Sequence, residues 1–234
     1  VNLVQAIKEY ARDSILIAYS TPEVLADYYN VLKAEGAHIE PKSPYAISKA
    51  AMEYYLKVQP WVKTVIVRPA NTYDRSILAN VEESRGYFVE KAIIGLLDSH
   101  ADELVFDGYA NKIRTWMHVD DHVQAIALLL KLLMDKATLM WHRPLLGPTN
   151  SLIFHIAPPD SHASCGEVFG ILLKITRRYA VKTRWGVNPR PYDPEDLSID
   201  GRQFHNLVRE WNPMTLEEGL QTAVNNWKRV LGLA

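Results

Sequence analysis

The stretch SPYAISKAAMEYY, which starts at Ser43, sets Tyr45 and Lys49 four residues apart in a segment of helical character. Residues at i and i+4 share one helix face. An ammonium beside a phenol favours the phenolate, so the pair has the makings of a general base. Spacing alone does not select it. Tyr-x-x-x-Lys recurs at Tyr29/Lys33 and at Tyr87/Lys91 among the 12 tyrosines. Two other chemically useful side chains flank the first pair. Thr21, in YSTPEV, has a hydroxyl able to hydrogen-bond a substrate oxygen, and Asn71 stands in RPANTY.

The elements that must position these groups follow from hydrophobic patterning. Val4, Ala6, Ile7 and Ala11 predict a helix through about residue 11. SILIAYS (14–20) is a continuous apolar run of strand length, as a buried parallel strand has, and KTVIVRP (63–69) is the next such strand. Between them lies a polar loop ending in Pro41 and Pro44, then a helix over 45–58 that Pro60 stops. Helix, strand, helix, strand in this order argues for parallel crossover units. Parallel strands present their C-terminal ends to the ligand crevice. Thr21 and Asn71 each follow such an end, and Tyr45 opens the helix between them. The three are therefore expected to converge on one pocket. Tyr29/Lys33 falls in the loop too soon after Thr21, and Tyr87/Lys91 comes after the parallel units. Both read as structural or solvated faces.

Further along, 86–97 reads as a helix, 103–108 as a short strand and 114–119 as another strand. Asp120 is expected to N-cap a long helix running to about Met134. Strand 151–157, helix 165–178, strand 181–187, a loop RPYDPED and a short helix near 201–208 follow. A last amphipathic helix starts at Thr215, with Glu218 as its capping-box partner.

Composition narrows the function classes. The 234 residues fit one large domain or two small ones, and 48% hydrophobic residues allow a substantial core. A net charge of −1 leaves no electrostatic footprint for nucleic acid or an anionic membrane. The single cysteine, Cys165, excludes an intrachain disulfide and a cysteine-rich metal site, and makes a reducing, cytoplasmic setting the default. The longest apolar run, from Ala125, is broken by Lys131 and is too short to span a bilayer. His118 and His122 have an i, i+4 metal spacing, but His118 sits at a predicted strand end with no third ligand in view, so no metal is expected. No G-x-S-x-G elbow supports a serine hydrolase.

Six pieces now stand in a recognisable order: STPEV, PYAISK, VRPANTYD, IRTWMHVDDHVQA, RPYDPEDLSID and WNPMTLEEGLQTAVNNW. Together they resemble the extended short-chain dehydrogenase/reductases, in the branch of nucleotide-sugar epimerases and dehydratases. The resemblance covers nearly the whole chain. It implies an α/β fold: the C-terminal part of a Rossmann-like parallel sheet plus a smaller α/β substrate-binding domain. Residues 1–74 and 112–157 would belong to the dinucleotide-binding part, and 75–111 and 158–234 to the nucleotide-sugar part.

The resemblance also implies a chemistry, hydride removal from C4 of a nucleotide-diphosphate sugar by NAD, with NADP not excluded. Tyr45 would take the hydroxyl proton, Lys49 would assist it and hold the nicotinamide ribose, and Thr21 would orient the hydroxyl. Pro69 would lie beside the cofactor. Asn71 and Arg114 would sit near the sugar and diphosphate, and Arg190 near the nucleotide phosphates, where a planar guanidinium meets phosphate bidentately. A plain ion pair with a nearby Asp is the other reading of the two arginines. Glu23 holds the base position of the dehydratase branch, whereas Pro22 replaces its acid. Leu25-Ala26 replaces Tyr-Gly, and Asp74 replaces a Gly, so a reshaped sugar pocket is expected. The resemblance further implies a homodimer through helices 2–11 and 45–58.

None of the 11 glycines falls in a G-x-G-x-x-G turn. The chain opens at Val1 with helical periodicity and no strand before it, as if entered near the helix before the fourth strand of the family fold. The first βαβαβ half, about 80–100 residues, is expected to be missing. The alternative function is that of a non-catalytic, truncated homologue keeping a sugar-nucleotide or dimerisation surface.

Overall fold

Three segments of branched apolar residues build the sheet that carries the site. The computed structural model describes residues 2–141 and 151–233. α1 (Asn2–Tyr10) leads into β1 (Ile15–Tyr19), and α2 (Pro44–Lys57) connects β1 to β2 (Lys63–Pro69). Next come β3 (Asn71–Tyr73), α3 (Val81–Ser84), α4 (Phe88–Leu97) and β4 (Glu103–Val105). β5 (Ile113–His118) runs straight into α5 (Val119–Trp141). β6 (Ser151–Ile156), β7 (His162–Ser164), α6 (Cys165–Thr176) and β8 (Lys182–Arg184) follow, then β9 (Asp196–Leu197), α7 (Arg202–Leu207) and α8 (Leu216–Val230).

β1, β2 and β6 form a parallel sheet with β2 at its centre, as the crossover pattern predicts. β2 is buried from Thr64 to Arg68. Alternation along it splits the core, because successive side chains leave opposite faces. Val65 and Val67 pack with Leu129 and Leu133 of α5 and with Phe204 and Trp211. Ile66 packs with Val4 and Ile7 of α1 and Leu56 of α2. Both faces are thus covered by helices, as a parallel sheet requires. Among the described residues β1 has one strand neighbour, so its outer edge is open and Ile15, Leu16 and Ile17 are half-buried.

After Ala70 the chain leaves β2, and β3 pairs in parallel with β5; β5 also takes β7 and β9 as partners. A second core fills the space between α4, α6 and α8, with Ile93, Leu172, Leu220 and Trp227 at its centre. No helix of the described residues is long and apolar enough to cross a membrane.

Several expectations need correction. β3, β7, β9 and α3 are two to four residues long, too short to leave a period in the sequence. The strand expected over 181–187 shrinks to 182–184, and the helix expected from 86 begins at Phe88. Asp120 does not cap α5. The helix starts at Val119, and His118 Nδ1 accepts the Asp120 N–H at 3.1 Å, so a ring nitrogen takes the place of a carboxylate. Asp120 still sits in the first turn, where its charge meets the positive end of the helix. The capping box at Thr215 and Glu218 forms as read. Residues 142–150, inside the 112–157 segment assigned from sequence, lie outside the described residues, as do Val1 and Ala234.

Candidate active site

The end of β1 is shaped by Thr21. It N-caps a 3-10 turn over Pro22–Val24, its Oγ1 accepting the Glu23 N–H at 3.3 Å. The turn brings Glu23 to α2, whose N-cap is Ser43. Ser43 Oγ accepts the Ala46 N–H at 3.0 Å and donates to the Glu23 carboxylate at 3.3 Å. Pro44 follows at the first helical position, where its missing N–H costs nothing. Tyr45 comes next and is 51% exposed. One turn on, Lys49 Nζ donates to the Tyr19 carbonyl at 2.9 Å and lies 5.7 Å from the centre of the Tyr45 ring. Thr21, Glu23, Tyr45 and Lys49 are therefore held around the junction of β1 and α2.

A buried ion pair fixes that junction from behind. Arg68, on β2, donates to Glu53 of α2 through Nε at 2.8 Å and Nη2 at 2.6 Å, and both side chains are fully buried. Ser20 Oγ, next to Thr21, adds a bond to the same carboxylate at 2.6 Å. Burial pushes the Glu53 carboxyl up, but the Arg68 hydrogen bonds and charge outweigh it and hold the group below its ordinary range. Arg68 Nη1 also donates to the Glu35 carbonyl and to His155 Nε2, so the ring proton of His155 sits on Nδ1. Burial, then the Arg68 charge, lower the His155 pKa to about 3, which keeps it neutral.

Beside this junction lies a cavity of about 420 Å³. Glu23, Asn71, Arg114 and Arg190 all line it. Thr21, Tyr45, Lys49 and Pro69 do not; Pro69 ends β2 half-buried. Glu23 connects the two groups of residues, since it lines the cavity and is bonded to the cap of the Tyr45 helix. Asn71 opens β3, so it lies at the strand switch and not at the end of β2. Arg114 makes the ion pair considered above, with Asp193 Oδ1 at 2.8 Å, yet it is buried and faces the cavity. Lys112 likewise donates to Glu195 at 2.7 Å. Among the described residues the Lys91 and Arg190 side chains have no hydrogen-bond or ion-pair partner.

The rival tyrosine–lysine pairs have clear fates. Lys33 is buried against Asp196, donating to its carbonyl at 2.9 Å, and burial lowers its pKa. Tyr87 stacks with the Arg75 guanidinium at 4.0 Å, and both Tyr87 and Lys91 line the cavity. Lys91 is thus a site candidate that chain order alone sets aside. Glu90, buried beside it, is another; its Oε1 accepts the N–H groups of Asp74 and Arg75. Burial raises the Glu90 pKa.

The departures expected to reshape the pocket do not reach its wall. Leu25 and Ala26 are buried and off the cavity. Asp74 has φ 73°, the left-handed region where a glycine is the easy choice. Its carboxylate turns away to His118 Nε2 at 3.0 Å, Asn226 Nδ2 at 2.8 Å and the Ser76 N–H at 3.1 Å. Those bonds hold it below the ordinary carboxylate range despite burial. His118 and His122, spaced for a metal, have separate partners, since His122 Nε2 meets the Tyr19 hydroxyl at 3.2 Å. Two of the motifs explain each other. Asp121, of the VDD segment, accepts the Met214 N–H with its carboxylate and the Trp211 indole N–H with its carbonyl, which docks the WNPM stretch. Gly219 lies against the Tyr73 hydroxyl and His118 Cβ, where any side chain would collide.

A family model described as the NAD dependent epimerase/dehydratase family matches residues 1–138. Among solved structures, the dTDP-glucose 4,6-dehydratase of Bacillus anthracis str. Ames, in complex with NAD, superposes with a TM-score of 0.73 at 20% identity, over 97% of this chain and 65% of its own. The UDP-glucuronic acid 4-epimerase of Bacillus cereus, with UDP-glucuronic acid and NAD, gives 0.74 at 18%, over 98% and 67%. The UDP-glucose 4-epimerase of Thermus thermophilus, with NAD, gives 0.72 at 22%, over 97% and 68%. The chain therefore spans about two thirds of the length of these proteins. No curated protein matches it by sequence.

Proposed function

The chain belongs to the NAD dependent epimerase/dehydratase family, and on that footing we propose that it serves an NAD-dependent 4,6-dehydratase or 4-epimerase acting on a nucleotide-diphosphate hexose. The observation that carries this reading is a shared cavity in which Glu23 and Asn71 meet Lys91 and Arg190, cations with no side-chain partner among the described residues. Two free cations suit a diphosphate, and the acidic end beside the β1–α2 junction suits the reacting sugar. Tyr45 takes the proton of the C4 hydroxyl while Thr21 donates to the same oxygen. Lys49 is anchored on the Tyr19 carbonyl and stands ready for a ribose. In the dehydratase case Glu23 takes the C5 proton while the C6 hydroxyl leaves, the two together making the water that is lost. NAD, when bound, supplies the hydride acceptor. Tyr45, with its half-exposed ring, Lys49 one turn further along α2, and Pro69 at the end of β2 would hold the cofactor's ribose end. The working division assigns 1–74 and 112–157 to the cofactor and 75–111 and 158–234 to the sugar nucleotide. A cytoplasmic setting suits the single cysteine.

The pyrophosphate end of a dinucleotide is another matter. Such affinity comes from free N–H groups at a Gly-rich turn and helix N-terminus, and the 234 residues contain no such turn. Titration calorimetry on this chain is expected to give heats with dTDP-glucose or UDP-glucose and no micromolar binding of NAD or NADP. Silence with both sugar nucleotides would remove the reading. Micromolar NAD binding would mean that another segment replaces the turn.

The same reading includes a homodimer through α1 and α2. Leu3, Tyr10, Ile47, Tyr54 and Val58 are all exposed on or beside these two helices, apolar surface that a two-fold interface would bury. Light scattering at micromolar concentration is expected to return twice the chain mass, and a monomeric mass would count against the interface.

A further inference from the structure

We infer that the sugar this cavity accepts is neutral at C6, a glucose-type hexose and not a uronic acid. The inference deepens the nucleotide-sugar reading and rests on it. Relatives of both kinds exist, so the choice has to come from the wall of this cavity.

The wall carries four carboxylates, Glu23, Glu90, Asp107 and Asp193, of which Asp193 is paired with Arg114. Glu90 is 2% exposed, and only one of its oxygens is occupied by the backbone N–H groups of Asp74 and Arg75. The other keeps acceptor capacity, which suits a sugar hydroxyl and repels an anion. Three of the cavity's cations are already paired, Lys112 with Glu195, Arg114 with Asp193 and Arg85 with Glu82. Among the described residues the Lys91 and Arg190 side chains remain free, and they match the two charges of a diphosphate. A uronate would bring a third negative charge to the end of the cavity that Glu23 occupies.

Backbone donors do not rescue it. An anion can be held by successive free N–H groups in a turn. In the turn after Thr21, Pro22 has no N–H, and the Glu23 and Val24 N–H groups are taken by Thr21 Oγ1 and the Thr21 carbonyl. The Leu25 N–H goes to the Pro22 carbonyl. The segment next to Glu23 therefore has no backbone N–H left to offer a carboxylate.

Calorimetric titration of this chain with UDP, UDP-glucose and UDP-glucuronic acid at neutral pH tests the inference. UDP-glucose is expected to bind at least about tenfold more tightly than UDP-glucuronic acid, a difference of about 1.4 kcal/mol. Glu90→Gln, which keeps an acceptor for the two N–H groups, is expected to narrow that ratio several-fold. Glu23→Gln, on a half-buried turn, provides the same readout should the buried variant fail to fold. Equal or tighter uronate binding would overturn the inference while leaving the nucleotide reading intact, and so would a ratio that neither variant moves. Failure of UDP itself to bind would overturn both.

Discussion

Replacing Arg68 with alanine is expected to cost about 3–5 kcal/mol of folding stability, read as a fall in the urea midpoint at unchanged slope. The guanidinium has no exposure and makes two bonds to Glu53, one to the Glu35 carbonyl and one to His155. Truncation would leave the Glu53 carboxylate buried, with the Ser20 hydroxyl at 2.6 Å and Lys57 at 3.5 Å as its remaining support. The cost therefore comes from stranding a charge more than from losing an attraction. Replacing both partners, Arg68→Met with Glu53→Leu, is expected to recover most of the loss, because a well-packed apolar pair escapes the desolvation penalty. A single variant with a midpoint near the parent's would show that the pair does not hold the β1–α2 junction.

Tyr45→Phe is expected to lower turnover by roughly 10²–10⁴-fold in any form of the enzyme that binds NAD, the usual range for loss of a positioned proton acceptor. Phenylalanine keeps the ring and its contact with Lys49 and removes only the hydroxyl. Folding should be little affected, since the ring is half-exposed. Tyr29→Phe and Tyr87→Phe are the controls. Tyr29 is exposed and its Lys33 is committed to Asp196, so a small effect is expected. Tyr87 lines the cavity, so its variant is expected to act on binding before turnover. Near-full activity in Tyr45→Phe with loss in either control would reassign the base.

Much of the parallel sheet was legible because burial on both faces leaves continuous apolar runs, ILIAY and TVIVR, that polar loops interrupt. The helix of Tyr45 was legible because Pro44 and Pro60 bracket it. The charged Arg68 inside a buried run was a visible sign of a partner, but Glu53, in AAMEYY, looks like any solvated helix residue. Their pairing exists only once α2 lies across β2. Lys91 and Glu90 were hidden for a similar reason. They follow the parallel units in the chain, and only the fold of α4 against β3 returns them to the cavity. Asp120 was misread because a capping carboxylate is the common solution and an imidazole the rare one.

The left-handed residue after Tyr73 has a consequence for how this sequence is free to change. A glycine there would stand alone, indifferent to its neighbours. Asp74 instead ties its fate to two distant positions, His118 on β5 and Asn226 on α8. Loss of either donor leaves a buried carboxylate short of a partner, and loss of the carboxylate orphans both donors. Drift at any one of the three positions is therefore penalised until the others follow, so in the descendants of this chain they form a single heritable unit spread over 152 residues of sequence.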